Sequence, residues 1–341
     1  MTLPAGSGRP TVALAMLPLF TEHLFDAALL GRLRVVSNVP DATPLTTFEE
    51  PRAAELLPCA DILLTSWGCP PVDAYVLARA PRLRAIVHAA GTVKMHVTDA
   101  CWERGVLVTS AAAANAVPVA EFTLAAILFA NKAVFQLQQR YREVRAFRWW
   151  PAEFPALGNF RKVVGIVGAS YVGRKVIDLL KPFDLAIQVY DPFLLDADAA
   201  ALGVRKVELD ELLRTSDVVS LHAPALPETR HLIDRRRLSL LRNGATLINT
   251  ARGWIVDGDA LEEELKSGRI NAILDTTEPE VLPEQSPLYD LPNVFLTPHI
   301  AGAMGTETQR LAEVAVNEIE RFTRGEPFRY GIRKEDLGRL A

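Results

Sequence analysis

Cysteine is scarce in this chain, and so are any imbalance of charge, any long apolar run and any repeated or low-complexity segment. The three cysteines, Cys59, Cys69 and Cys101, cannot all pair. None sits in a CxxC or Cys/His spacing that holds a metal, so neither a disulfide framework nor a metal site is expected. A reducing, cytoplasmic compartment follows as the expectation. Lysine and arginine number 37 against 41 aspartates and glutamates, a formal charge of −4. The basic residues are scattered rather than gathered in a stripe, which disfavours nucleic-acid or anionic-membrane partners. No segment shows the roughly 18 uninterrupted apolar residues of a membrane span. The run Val12–Phe20 follows Arg9 with no basic cluster before it and no cleavage site after it. It therefore reads as a first buried strand rather than a secretory signal. Self-similarity at about 20–50 residues, the mark of a solenoid, is missing too.

What is present is enough apolar material for two cores. The chain has 341 residues, 49% of them hydrophobic, and a typical domain of about 150 residues divides it roughly in two. Up to about residue 115, short apolar runs (Val12–Leu17, Asp61–Thr65, Leu83–Val87, Val106–Val108) alternate with amphipathic segments such as Pro71–Ala80 and Met95–Glu103. That rhythm predicts a parallel sheet. From Val117 to Arg145 helical apolar spacing continues with no glycine or proline after Pro118, predicting one long bridging helix. A second series starts at Val163 and includes Leu185–Tyr190, Val218–Leu221, Thr246–Ile248, Ile270–Leu274 and Val294–Leu296. Its strands are nearly all apolar, as where helices cover both faces of a sheet. A last helix is predicted from Gly305 to Arg324, before Gly325.

The second series opens with a strand, a tight turn and a helix start, in which Gly168, Ser170 and Gly173 occupy the three positions of GxGxxG. Such a turn brings backbone N–H groups, here around Tyr171 and Val172, toward a pyrophosphate. Serine at the second position adds a Cβ that crowds the approach slightly. Alone, the turn is also compatible with an ordinary βα connection. Asp191, 23 residues after Gly168 and next to the strand Leu185–Tyr190, favours the dinucleotide. An acidic residue there accepts from ribose hydroxyls and repels a 2′-phosphate, which selects NAD over NADP. Its competing role is that of a turn residue before Pro192. Tyr171 and Lys175 form a YxxxK spacing inside this helix, where the pair cannot reach a substrate carbonyl.

Three further residues supply the chemistry of a carbonyl reduction. Arg252 follows the strand Thr246–Ile248, His299 follows Val294–Leu296, and Glu280 lies in the acidic segment after Asp275. A guanidinium grips a carboxylate through two parallel hydrogen bonds and polarises a neighbouring C=O, and an imidazole beside a carboxylate can hand over a proton. Carboxyl ends of strands are where open α/β sheets place ligands. Taken singly, His299 would be a structural histidine and Arg252 a surface ion-pair partner.

With these pieces placed, the chain resembles the D-isomer-specific 2-hydroxyacid dehydrogenase family along nearly its whole length. The stretches that carry the likeness are Leu83–Thr92 (LRAIVHAAGT), Asn115–Glu121 (NAVPVAE), Ser216–Pro224 (SDVVSLHAP), Thr229–Ile233 (TRHLI), Ile248–Asp257 (INTARGWIVD) and Leu291–Gly302 (LPNVFLTPHIAG). The resemblance implies an α/β fold of two doubly wound, parallel-sheet, Rossmann-like domains with a cleft between them. Residues 1–116 and 303–341 would form a discontinuous substrate-binding domain, and 117–302 the NAD-binding domain. It implies a homodimer, with Arg145–Trp150 as an arm for the contact or a locally packed loop. It assigns carboxylate binding to Arg252, acid/base work to His299 and the imidazole's partner to Glu280, with Glu278 as fallback, because the segment lacks the commoner Val-Phe after Asp275. A glutamate here also argues against formate dehydrogenase, which carries glutamine.

Implied cofactor contacts are Gly168, Ser170, Tyr171, Val172, Gly173, Asp191, His222, Ala223, Pro224, Thr229, Thr250, Ala251, Asp275 and His299, with Asp275 on the nicotinamide carboxamide. Implied substrate contacts are Ala90, Gly91 and Thr92, whose backbone holds the carboxylate, together with Trp67, Asn115 and Arg252. Trp254, where the family more often has a small residue, either narrows the pocket or packs. His88 and His96 read as structural. The reaction implied is reversible, NAD-dependent interconversion of a 2-oxo acid and a D-2-hydroxy acid. A second reading, an NAD-sensing binding protein like the transcriptional corepressors similar to this family, keeps the same three residues; the tails of those proteins are not evident here.

Overall fold

A computed structural model describes residues 8–338. They fall into two compact units, one of residues 8–115 with 303–338 and one of 116–302.

In the first unit β1 (Val12–Ala15), β2 (Ile62–Thr65), β3 (Ala85–His88) and β4 (Leu107–Ser110) lie side by side in that order, all parallel. Beyond β1, an irregular segment adds through single bridges, Thr11 to Asn38 and Ala15 to Leu45, so the winding reverses at β1. Alternate residues feed two cores: Val12, Leu14, Ile62, Leu64 and Val87 on one face, Ala13, Leu63 and Ile86 on the other. That is the two-residue period of a strand buried on both sides. The helix Thr308–Thr323 packs Leu311, Ala315, Val316 and Ile319 into the first of these cores. Its buried Glu318 accepts from the Thr109 hydroxyl and from the backbone N–H groups of Arg329 and Tyr330. These bonds hold a two-residue strand, Gly331–Ile332, antiparallel against β4.

The second unit contains β5 (Val163–Val167), β6 (Ala186–Tyr190), β7 (Arg205–Lys206), β8 (Val218–Leu221), β9 (Thr246–Asn249), β10 (Asn271–Leu274) and β11 (Val294–Leu296). Their order is β11-β10-β9-β8-β5-β6-β7, with every pair parallel. The chain reverses its winding between β5 and β8, so a crevice opens at the carboxyl ends of those two strands.

The single helix expected over Val117–Arg145 is two helices, Ala112–Asn131 and Val134–Val144. Ala133 between them is left-handed at φ +47°. The first helix stops because distant chain takes over its end: Gly158 N–H donates to the Asn131 carbonyl, and the Asn131 side chain donates to Asn159. Apolar spacing runs through the break and does not reveal it. By length and composition Ala112–Asn131 is apolar enough to cross a membrane. In this structure its Ala120, Ala126 and Ile127 are part of the second unit's core, while Glu121 is exposed.

Candidate active site

The turn after β5 is shaped by its first and third glycines. Gly168 adopts φ +100°, and a Cβ there would lie 2.7 Å from Ala223 N and 2.8 Å from the His222 carbonyl. At Gly173 a Cβ would lie 2.0 Å from the Gly168 carbonyl oxygen. Both contacts are with backbone, so neither position accepts a side chain without displacing the turn. Ser170, the departure from the glycine pattern, has ordinary extended backbone and caps the helix Tyr171–Leu180. Its hydroxyl accepts from Gly173 N–H at 3.4 Å and donates to the His222 carbonyl at 2.9 Å. The serine thus ties the turn to the end of β8. First-turn N–H groups, here those of Tyr171 and Val172, have no acceptor within a helix and face outward as an anion site.

Asp191 stands at the end of β6. One carboxylate oxygen accepts from Ala169 N–H at 2.7 Å, the other from Phe193 and Leu194 N–H. A carboxylate offers about four lone-pair sites, so capacity remains for a ribose hydroxyl. The glycine cradle, the outward N–H groups and this carboxylate fit a dinucleotide.

Across the crevice, His222 is fully buried against the Ser220 hydroxyl at 2.9 Å, and desolvation pushes its pKa down to about 3. It is neutral and structural, contributing its carbonyl to the turn. Ala223 is buried behind Gly168. The Thr229 hydroxyl donates toward the Pro224 carbonyl at 2.7 Å and accepts from Leu226 N–H, so it folds its own loop. Thr250 is buried with its hydroxyl 3.3 Å from that of Thr123.

The loop after β9 is clamped by Asn249. Its side chain donates to the Arg252 carbonyl at 2.9 Å and accepts from Ala251 N–H at 3.1 Å. Arg252 is exposed, its guanidinium donating to the Ala251 carbonyl. The next residue, Gly253, lies so close to the loop after β10 that a Cβ would meet the Thr277 carbonyl carbon at 2.0 Å. In that second loop the two glutamates have different partners. Glu278 pairs with Arg230 at 3.1 Å, and Arg230 stacks over the Trp254 ring at 5.5 Å. Glu280 Oε1 meets His299 Nδ1.

His299 itself sits in left-handed backbone at φ +55°. That geometry is imposed by buried Asp275, whose carboxylate accepts from the Thr297 hydroxyl at 2.6 Å, Ile300 N–H at 2.8 Å and Ala301 N–H at 2.9 Å. The Asp275 carbonyl also accepts from His299 N–H. The residue implied as a carboxamide contact therefore spends three bonds holding the histidine loop. His299 Nε2 has no partner among the described residues. Sequence reasoning missed Asn249, Gly253 and Arg230 as positioning residues; a buried asparagine closing a strand and a glycine directly after Arg252 are the signals that could have found the first two.

In the first unit, Ser66 donates to the Ala89 carbonyl and half-buried Trp67 packs on Phe20 with ring centres 5.1 Å apart. Ala90 is buried, and its carbonyl accepts from Ala111 N–H. Thr92 accepts from Lys94 N–H. Gly91 faces Asn115, whose side-chain oxygen accepts from Ala303 N–H at 2.9 Å. His88 and His96 share the buried Thr65 hydroxyl. Burial lowers both pKa values, that of His96 to about 4.

These buried histidines set an acid limit. Unfolded histidine titrates near pH 6.5, so below that the unfolded chain binds protons that folded His96 and His222 refuse until about pH 4 and 3. Stability is complete above about 6.5 and falls with pH through that window. Melting temperature is expected to drop steadily from pH 7 to 4, and less steeply in His222→Asn. A flat profile would show that these rings are hydrated.

Residues 124–301 match the NAD binding domain of the D-isomer specific 2-hydroxyacid dehydrogenases. The D-3-phosphoglycerate dehydrogenase of Methanocaldococcus jannaschii is 34% identical over 311 residues, 90% of this chain and 57% of that protein. The glyoxylate reductase of Korarchaeum cryptofilum is 36% identical over 259 residues, 75% of this chain and 78% of that one. This chain spans just over half the length of the phosphoglycerate dehydrogenases it matches. Among solved structures, D-mandelate dehydrogenase from Rhodotorula graminis superposes with a TM-score of 0.79 at 25% identity, covering 96% of this chain and 98% of that one.

Proposed function

Because the chain belongs to the D-isomer specific 2-hydroxyacid dehydrogenase family, we propose that it interconverts a 2-oxo acid and a D-2-hydroxy acid, using NAD(H). The observation that carries the reading is the His299 Nδ1 contact with Glu280, which leaves Nε2 unpartnered. A carboxylate on one ring nitrogen fixes the tautomer, favours the protonated ring and aims the other nitrogen at the reacting oxygen. Bound NADH supplies the hydride that reduces the carbonyl carbon. In that direction His299 gives its Nε2 proton to the carbonyl oxygen, and in oxidation it takes the proton back. Arg252 is the one of the three with its guanidinium exposed on a clamped loop, suited to pair with the substrate carboxylate. The Gly168 turn, with Tyr171 and Val172, holds the pyrophosphate and Asp191 the ribose. The unit of residues 8–115 and 303–338 takes the substrate-binding role, through the Gly91 loop, Trp67 and Asn115.

A panel of glyoxylate, pyruvate and hydroxypyruvate with NADH, followed by loss of NADH absorbance, tests this. Turnover of at least one with a D-configured product is expected. Inactivity across the panel with NADH-dependent capture of a partner protein would favour the sensing role instead, which the dehydrogenase and reductase names of the relatives do not support. Asp191→Ala is expected to weaken NADH binding and to relax discrimination against NADPH. An unchanged NADH/NADPH ratio of kcat/KM would remove Asp191 from ribose recognition.

A homodimer is the proposed assembly, supported by Phe147 and Trp149, 92% and 71% exposed beside Arg145; solitary aromatics of this size on a surface mark contact sites. A cytoplasmic location is proposed on three cysteines without a disulfide.

A further inference from the structure

The peptides that flank Arg252 and Glu280 also wall a cavity of about 330 Å³, lined by Gly253 on one loop and by Thr277, Glu278 and Pro279 on the other. None of Arg252, Glu280, His299, Asp191 or the Gly168 turn lines it. Its deep wall is apolar and buried: Val256, Leu261, Leu274 and Leu288. One polar group interrupts that wall. Thr276 is 2% exposed, and its hydroxyl has no hydrogen-bond partner among the described residues. A buried hydroxyl left unmade is costly, by more than a typical hydrogen bond contributes. The charged residues that line the cavity, Asp259, Glu262 and Glu278, are all acidic. Glu262 is paired with Lys266 and Glu278 with Arg230. Exposed Asp259 has no ion-pair partner within 4 Å among the described residues.

We propose that this cavity is a second ligand site, for a small aryl-alkyl amine: a ring against the leucines, a neutral hydrogen-bonding group on the ring for Thr276, and an ammonium at the acidic mouth beside Asp259. The size fits. An apolar cavity of about 150 Å³ takes benzene, so one about twice as large takes roughly a dozen non-hydrogen atoms. The charge pattern sets the sign, since an anion would meet three carboxylates and no lining cation. The site stands apart from the reaction assigned above, and its test reads binding, not turnover.

Three probes of nearly one shape separate the contributions: tyramine carries both polar ends, phenethylamine lacks the hydroxyl, and 3-(4-hydroxyphenyl)propionate replaces the cation by an anion. Titration calorimetry on the full chain is expected to show saturable one-to-one binding of tyramine, about fivefold weaker binding of phenethylamine, as for one lost hydrogen bond, and propionate weaker by about tenfold or more. Thr276→Val, nearly isosteric, is expected to bring tyramine and phenethylamine within about twofold of each other. Asp259→Asn, on the surface, is expected to weaken both amines by about fivefold. The site would be overturned if tyramine showed no saturation at millimolar concentration, if the propionate bound as tightly as the amine, or if neither substitution changed tyramine affinity in variants whose melting temperature matched the parent.

Discussion

Asparagine in place of His299 is expected to lower the rate of 2-oxo acid reduction by about 10²–10⁴-fold, the usual cost of losing a positioned general acid. NADH affinity should stay within about twofold. Asparagine is the informative replacement because residue 299 sits at φ +55°, a region asparagine enters more readily than alanine. The loop therefore keeps its course, and the bonds from Asp275 to Ile300 and Ala301 N–H are untouched. What disappears is the Nε2 proton and the ring that Glu280 orients. Stopped-flow or steady-state rates measured beside NADH fluorescence titration separate the two readouts. A variant that reduces substrate at the parent rate would take His299 out of the chemistry.

Gly253→Ala should cost about 100-fold in kcat/KM without removing a single polar group. The added methyl would lie 2.0 Å from the Thr277 carbonyl carbon, 2.2 Å from its oxygen and 2.4 Å from Glu278 N. These are backbone atoms, so no side chain can swing aside; one loop must move. The loops concerned carry Arg252 and Glu280, and a displacement near 1 Å at such a site costs on the order of 10²-fold. Overpacking of this kind also destabilises by about 1–3 kcal/mol, so a lower melting temperature is expected alongside. Gly258→Ala is the control, since there a Cβ would meet only Glu278 O at 3.8 Å and near-parent kinetics follow. Full activity in Gly253→Ala would mean that the two loops are not mechanically joined.

Much of this architecture was legible because the strands are apolar runs buried on both faces. Val218–Leu221 and Val294–Leu296, for instance, occupy the residues expected of them. The two short edge strands, Arg205–Lys206 and Gly331–Ile332, were not legible. Two residues, one pair of them charged, carry no period, and their pairing is decided by partners elsewhere, such as Glu318 for the second. The break at Ala133 escaped for the same reason, its cause being Gly158 and Asn159. At the site, motifs pointed to residue types but not to where each hydrogen bond is spent. Ser170 read as a slight obstruction yet acts as cap and strap. Thr229 and Asp275 read as cofactor contacts, and their side chains are largely engaged within their own loops. The pairing of Glu278 with Arg230, which separates its role from that of Glu280, spans 48 positions of sequence and leaves no local trace.

The most direct measurement is the fate of the hydride. NADH deuterated at C4 on the transferred face, incubated with whichever 2-oxo acid of the panel is turned over, is expected to place deuterium at C2 of a D-hydroxy acid, and His299→Asn is expected to abolish that transfer while still binding NADH. Product without deuterium at C2, or undiminished transfer in the variant, would contradict the assignment of residues 252, 280 and 299 to this reaction.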